Sequence, residues 1–296
     1  MQVHFIGLGE AGLSNLAVAL QKKGETITGS DEVLDESLKT LKQEQKLLFN
    51  EAGWFPEKIH AQLDAVVIGA KVKKENPELV KAQELGLRIF SYPEFLYELS
   101  KYKTRVVITG SHGKTSIVSM ILHVLDYNDV DVDYVLSSPN GIHLTEENDF
   151  VVIEGDGSLS GIDGTPQLQL YRPNIALLSD IRFEDNGIFS DFESYAEQYS
   201  TFVDSIVKGG SITYNDEDEE VKKRVEASEN PIRKFPYTTP EYQKIDGEVF
   251  LDTPDGEMPL EISNTTDLRN MAGAKWICQQ MGVDEVEFYE AMVTYK

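Results

Sequence analysis

Two glycine-rich loops have the residue types and spacing to hold phosphate. The first is Gly7-Leu8-Gly9-Glu10-Ala11-Gly12, a G-x-G-x-x-G pattern followed about twenty residues later by Asp31. Glycines so spaced let backbone N–H groups approach a pyrophosphate at a helix start, and the acid can accept a ribose hydroxyl. The pattern does not separate a nicotinamide cofactor from any other diphosphate-bearing nucleotide, and a tight strand-to-helix turn with no ligand would also use these glycines. The second loop is Gly110-Ser111-His112-Gly113-Lys114-Thr115-Ser116. A lysine after glycine at a helix start places one positive charge among backbone N–H groups, which suits the β- and γ-phosphates of a nucleoside triphosphate. The hydroxyl that follows can bind Mg²⁺. Ile108 stands where the usual phosphate loop has its first glycine, so this loop is a shortened variant.

Each loop needs a strand before it and a helix after it, and the sequence supplies both. The apolar run Val3 to Gly7 predicts a strand, and Leu13-Leu16-Ala17-Leu20 has helical spacing, ended by Gly24. Further strands are predicted at 26–31, 64–70 and 87–91, with a helix from Pro77 to Leu85. Alternation of this kind implies a parallel sheet covered on both faces. The polar run Ser100 to Thr104 interrupts it and sets a domain boundary near residue 103, giving domains 1–103 and 104–296. In the second, Arg105 to Thr109 predicts the strand that enters the second loop and Thr115 to Leu125 the helix that leaves it. Strands follow at 150–154, 175–179 and 211–214, with a helix over 192–207. The acid cluster Asp216-Glu217-Asp218-Glu219-Glu220 reads as a solvated helix start capped by Asp216, with Glu219 spaced to pair with Lys223, rather than as a cation site. Residues 231–260 suggest small antiparallel strands, and Leu268 to Met281 a final amphipathic helix.

Composition narrows the partners. With 27 Lys+Arg against 51 Asp+Glu the net charge is −24, which repels nucleic acid and anionic lipid surfaces, and no basic patch overrides it. No run is apolar for long enough to span a bilayer, and residues 1–12 do not read as a leader, so a cytoplasmic protein is expected. The single Cys278 excludes a disulfide scaffold and reads as a buried, inert thiol. His4, His60, His123 and His143 show no metal-ligand spacing.

A dinucleotide-type loop followed by a triphosphate loop is an unusual pair, and with it the chain resembles the Mur ligases. Within them it is most similar to the ligases of UDP-N-acetylmuramate that add L-alanine or re-attach a murein tripeptide. The resemblance rests on His4 to Gly9 with Gly29-Ser30-Asp31, on Asn76-Pro77-Glu78 with Ser91-Tyr92-Pro93-Glu94, on Gly110 to Thr115, and on Leu268 to Ala274. It implies an α/β chain in which an N-terminal Rossmann-like parallel-sheet domain binds the UDP-sugar and a central phosphate-loop domain binds ATP and Mg²⁺. It also implies a third, amine-binding domain that these 296 residues do not contain, so they are not expected to complete the ligation alone. The implied reaction joins an amino acid or peptide to UDP-N-acetylmuramate through an acyl phosphate, in peptidoglycan synthesis or recycling. Carried over by position, Gly7, Gly9, Gly12, Ser30 and Asp31 would serve the UDP moiety. Gly110, Ser111, His112, Gly113, Lys114, Thr115, Ser116 and Asn270 would serve ATP. Thr115, Glu154 and Asp185 would hold metal, with Lys114 and Glu154 catalytic.

Departures from the pattern are specific. The resembled acidic motif, Glu-x-Asp-Glu, reads Glu154-Gly155-Asp156-Gly157 here, its Asp-His pair reads Glu184-Asp185, and its His-Asn pair reads Thr266-Asp267. The segment between Tyr134 and Thr145 is also short. Two alternatives therefore stand beside the ligase: a non-catalytic homologue that binds a nucleotide or a partner, and, on the first loop alone, a nicotinamide-dependent oxidoreductase.

Overall fold

The computed structural model describes residues 1–33, 52–138, 141–157, 159, 162–183, 189–245, 248–253, 256–262 and 264–295. They form two compact units. The first comprises Met1–Lys101 together with Tyr134–Thr145 and Ser158–Leu170; the second comprises Tyr102–Asp133, Glu146–Gly157 and Tyr171–Lys296.

In the first unit β1 (Gln2–Ile6) runs into α1 (Ala11–Lys22), β2 (Thr26–Ser30) and β3 (Ala65–Ile68), followed by α2 (Pro77–Glu84), β4 (Ile89–Ser91) and α3 (Tyr92–Ser100). The strands form a parallel sheet in the order β2-β1-β3-β4. Val3, Phe5 and Ile6 of β1 and Val66 and Val67 of β3 are all buried, as near-continuous apolar strands must be when both faces are covered. Helix α1 buries Leu13, Leu16, Ala17 and Leu20, the predicted stripe. Register pairs Ile6 with both Ser30 and Ile68, so three strands end level and the first loop leaves from that edge. Helix α3 adds to the predicted elements. Its signature is in the sequence: Ser91 and Glu94 form a reciprocal capping box around Pro93.

The second unit begins with β5 (Thr104–Thr109) and α4 (Lys114–Tyr127). Next come β6 (Asp133–Val135) and β7 (Ile142–His143), an antiparallel hairpin whose residues 134–145 group with the first unit, where β7 packs on α1. The chain then returns through β8 (Phe150–Glu154), β9 (Ile175–Leu178), α5 (Phe192–Ser205), β10 (Ser211–Asn215), α6 (Glu219–Ala227) and β11 (Arg233–Tyr237). Strands β11-β10-β9-β5-β8 lie side by side and all parallel. The antiparallel sheet of β12 (Tyr242–Ile245), β13 (Glu248–Thr253) and β14 (Gly256–Leu260) follows, then α7 (Thr265–Gln280) and α8 (Glu285–Met292).

Four expectations are corrected. The first strand of the 231–260 stretch is not antiparallel: β11 pairs parallel with β10 and extends the main sheet at its edge, where Pro236 needs no ladder partner on the open side. The cap of α6 is Asp218, which accepts from the N–H groups of Glu220 and Val221 at 3.1 and 3.0 Å, whereas Asp216 pairs with Lys222 at 2.9 Å. Glu220 rather than Glu219 meets Lys223 and also Arg224. The last helix is α8, not the 268–281 segment, and it too starts with a capping box, Asp284 and Glu287. Cys278 is fully buried, as expected, and burial pushes its thiol well above the ordinary range.

One buried carboxylate organises the sheet edge of the first unit. Glu78, inaccessible to solvent, accepts from the Ser30 hydroxyl and from the Phe55 N–H at 2.5 Å, with His4 Nε2 at 3.4 Å. Asn76 and Pro77 fix it in the first turn of α2. Burial alone would raise its pKa, but the hydrogen bonds from His4, Ser30 and Phe55, with the charge of His4, more than offset it and hold Glu78 below the ordinary value of 4.5. A carboxyl depressed on folding lends stability that is complete above its unfolded pKa and is lost as pH falls through the folded value. Denaturant unfolding between pH 7 and pH 3 should therefore show the first unit weakening below about pH 4.5, with the acid loss smaller in Glu78→Gln. At pH 7 Glu78→Ala should cost about 3 kcal/mol, because it leaves buried donors without their acceptor.

Candidate functional site

The second loop crosses from the carboxyl end of β5 to the start of α4, and its shape follows from backbone donors. Ser111 N–H donates to Asp180 O at 3.1 Å and His112 N–H to Asp180 Oδ1 at 2.7 Å. Ile117 N–H opens the helical ladder on Gly113 O at 2.9 Å. Between them, the N–H groups of Gly113, Lys114, Thr115 and Ser116 have no acceptor among the described residues. Four converging donors at the start of a fourteen-residue helix make a concave site for an anion. Lys114 Nζ folds back over the loop, donating to Gly110 O at 2.6 Å and Ser111 O at 3.4 Å.

Gly113 makes the turn possible. It sits at φ +80°, in the left-handed region, and a Cβ there would meet Asn270 Oδ1 at 2.8 Å. The same contact shows where Asn270 lies: buried on α7, against the loop.

Parallel pairing brings the acid of β8 to the hydroxyl of α4. Ile108 pairs with Glu154, Gly155 N–H donates to Ile108 O at 2.8 Å, and Thr115 Oγ1 donates to Glu154 Oε1 at 2.7 Å. Glu154 is buried at 8% exposure, so it is not the solvent-facing strand-end acid that its position also allowed. Thr115 and Glu154 are oxygen donors, one neutral and one anionic, of the kind a hard divalent cation takes. Among the described residues no group of three or more His, Cys, Asp or Glu is arranged to hold a metal. Asp185, the third residue that the resemblance gave to metal, lies outside the described residues, as does Glu184.

Asp180 and Ser179 were missed in the sequence. Besides holding two loop N–H groups, Asp180 meets His112 Nδ1 at 3.0 Å and Arg182 Nε at 3.5 Å; Ser179 donates to His112 O at 2.6 Å. Asn215 Nδ2 on β10 in turn holds Ser179 O at 2.9 Å. These residues carry no local motif. Only their place just beyond β9, next to β5 in the sheet, could have drawn attention to them.

The altered acidic motif lies against α5. A Cβ on Gly157 would lie 2.6 Å from Oε1 of the buried Gln198 on α5, so a larger side chain at 157 requires the Gln198 amide to shift. Asp267, in the altered pair near Asn270, is engaged in capping α7, its N–H donating to Asn264 Oδ1 at 2.8 Å.

The first loop is arranged differently. Gly7 and Leu8 N–H both reach Ser30 O at 3.0 Å, Gly9 N–H donates to Asp31 Oδ2 at 2.8 Å, and Glu10 N–H to Gly7 O at 3.2 Å. The N–H groups of Gly12 and Leu13 have no acceptor among the described residues. Glu10, passed over in the pattern, accepts from Ala70 and Lys71 N–H at 2.9 Å each and ties the loop to the end of β3. The structure thus brings Gly7, Gly9, Gly12, Ser30 and Asp31 to one sheet edge, with Asp31 bonded to the loop itself.

A five-stranded parallel array whose strand feeds such a loop and helix defines a phosphate-loop α/β domain, here joined to a Rossmann-like unit. Residues 2–104 match the Mur ligase family catalytic domain, and residues 108–264 match the Mur ligase middle domain. The chain belongs to the Mur ligase family. It is 28% identical to a UDP-N-acetylmuramate–L-alanine ligase of Sulfurihydrogenibium sp. (strain YO3AOP1), an alignment covering all of this chain and 65% of that protein. A second such ligase, from Persephonella marina, is also 28% identical, over 99% of this chain and 64% of that one. The chain thus spans about two thirds of the length of these relatives. Among solved structures it is similar in fold to the UDP-N-acetylmuramate:L-alanyl-γ-D-glutamyl-meso-diaminopimelate ligase of Neisseria meningitides, with TM-score 0.82, 21% identity, and 100% and 98% of the two chains covered. The UDP-N-acetylmuramate–alanine ligase of Thermotoga maritima follows at TM-score 0.71 and 18% identity, covering 100% and 68%.

Gly113→Ala tests the loop geometry. It should lower unfolding stability by about 1–2 kcal/mol from the left-handed backbone alone, seen as a lower urea midpoint with an unchanged slope.

Proposed function

We propose that this chain carries the sugar-nucleotide and ATP sites of a UDP-N-acetylmuramate ligase acting in peptidoglycan synthesis or recycling. The observation that carries this reading is the meeting of Thr115 with Glu154 at 2.7 Å beside Lys114 and four open backbone donors. That cradle suits a triphosphate and Mg²⁺ and has no use in hydride transfer, which weighs against the oxidoreductase alternative. The named relatives support UDP-N-acetylmuramate as the acceptor and L-alanine or a short peptide as the amine.

ATP supplies the phosphoryl group that activates the sugar's carboxyl for attack by the amine, and Mg²⁺ supplies charge neutralisation on that group. Thr115 and Glu154 are the residues that would hold the metal. Lys114 and the N–H groups of Gly113 to Ser116 neutralise the moving negative charge without needing to reorganise, which is the main protein contribution in such a transfer. Asn270 would line the nucleotide beyond the loop. In the first unit the open N–H groups of Gly12 and Leu13 would face the diphosphate, while Ser30 and Asp31 shape the edge on which the uridine would rest. ATP and nucleotide sugars are cytoplasmic metabolites, and this reading carries a cytoplasmic location. Among the described residues no helix is long and apolar enough to cross a membrane.

Calorimetric titration separates this reading from the non-catalytic one. ATP·Mg²⁺ and UDP-N-acetylmuramate should each bind, and Lys114→Ala should weaken ATP about 30-fold or more while leaving the sugar nucleotide unchanged. With both substrates present, hydroxylamine should trap the activated carboxyl as a hydroxamate in the wild type and not in Glu154→Gln. Binding of both ligands without hydroxamate would favour a non-catalytic homologue.

A further inference from the structure

Behind the phosphate loop stands a row of hydroxyls that the proposed chemistry leaves unused. Ser111 Oγ lies 2.7 Å from Tyr195 OH, which lies 3.0 Å from Tyr199 OH. Three hydroxyls bring three protons, and the two hydrogen bonds between them consume two. Whichever way the row is oriented, one O–H is left without an acceptor in it. Arg182 N–H already donates to Ser111 Oγ at 2.7 Å, so the row receives a donor from the backbone and gains no acceptor there.

All three hydroxyl residues line one cavity of about 160 Å³, together with Lys114, Arg182 and Asp156. Arg182 already pairs with Asp180 at 3.5 Å, whereas Lys114 donates, among the described residues, only to loop carbonyls and is the cation an anion would meet, and the volume suits a single phosphoryl group rather than a nucleoside. A second observation points the same way. Gln198, 1% exposed, has neither amide atom hydrogen-bonded among the described residues, and it lies against Gly157, whose bare Cα forms part of the cavity wall. A buried amide without partners costs free energy in the ligand-free chain, so this wall is polar beyond what the fold needs.

Resting on the nucleotide reading of the loop, we propose that Tyr195 and Tyr199 form a second wall of the phosphate site and donate an O–H to an oxygen of the terminal phosphoryl group of the bound triphosphate. The row also holds Ser111, and through it the loop, at a fixed distance from α5. Ring contacts with Phe183 and Phe189 fix the Tyr195 side chain, and three carboxylates around Arg224, two of them on α5, hold that helix to α6. Burial first, then the neighbouring Tyr195, pushes the Tyr199 hydroxyl far above its ordinary range, so it stays a neutral donor at any working pH.

The test is calorimetric binding of ATP·Mg²⁺ and of ADP·Mg²⁺ to the full chain, to Tyr195→Phe and to Tyr195→Phe/Tyr199→Phe. Each phenylalanine keeps its ring and loses only the hydroxyl. ADP has no terminal phosphoryl group beyond its β-phosphate, so a contact to that group must appear as a change in the ATP-to-ADP preference. Loss of about ten-fold in ATP affinity, with ADP held within two-fold of the wild type, is the expected result. An equal loss for both nucleotides would mean that the hydroxyls only shape the loop, and no loss for either would mean that they face nothing; each overturns the wall while leaving the loop reading intact. Failure of the wild type to bind either nucleotide would overturn the loop reading and the wall with it. Melting curves of the free variants are compared first, and the half-buried Tyr195→Phe change serves alone where the double variant is unstable.

Discussion

A helix that starts at a left-handed glycine leaves its first N–H groups without acceptors, and the active edge of the second unit follows from that constraint. Donors of this kind are costly inside a protein unless something anionic or wet meets them. Their position is therefore fixed at the open edge of a parallel sheet, where all carboxyl ends point the same way. Ser179 and Asp180 come from the end of β9, Glu154 from the end of β8 and Asn215 from the end of β10. The first three meet the loop or the start of its helix because their strands adjoin β5, and Asn215, one strand further out, holds Ser179 in turn. The sheet topology thus does chemistry at second hand, by deciding which side chains surround four open donors.

The two loops, similar on paper, spend their backbone donors differently. In the first, the donors of Gly7 to Glu10 close on Ser30, Asp31 and Gly7 itself, and only those at the start of α1 stay open. In the second, two donors close on Asp180 and four stay open. An electrostatic difference accompanies this. Lys114 adds a cation to the second loop, whereas Glu10 brings a carboxylate to the first and satisfies it on the end of β3. The first unit is the less positively charged cradle.

Much of this was legible in the sequence, and what was legible is local. Buried strands announce themselves by apolar runs, the two glycine loops by their spacing, and the strand-loop-helix crossings by the order of the two. Helices α3 and α8 were overlooked although Ser91…Glu94 and Asp284…Glu287 state their starts. The direction of β11 was not readable, because nothing in Arg233 to Tyr237 says which neighbour it will pair with. Asp218 took the cap expected of Asp216 since several adjacent acids could serve, and backbone geometry chose among them. Two residues that touch the loop, Asp180 and Tyr195, lie tens of positions from it and share no motif with it. They become visible only once β9 and α5 are folded against β5.

The order in which the chain visits its two units has a consequence of its own. Six segments alternate between them, three in each, so the polypeptide passes from one to the other five times. A single cut after Lys101 would strip the first unit of the hairpin that packs on α1 and leave that hairpin in the other fragment, where β6 adjoins β8. The two halves are thus stitched rather than strung. Residues 2–104 are the contiguous stretch that matches the family's first domain, and residues 134–145 and 158–170 are additions to that unit from further along the chain.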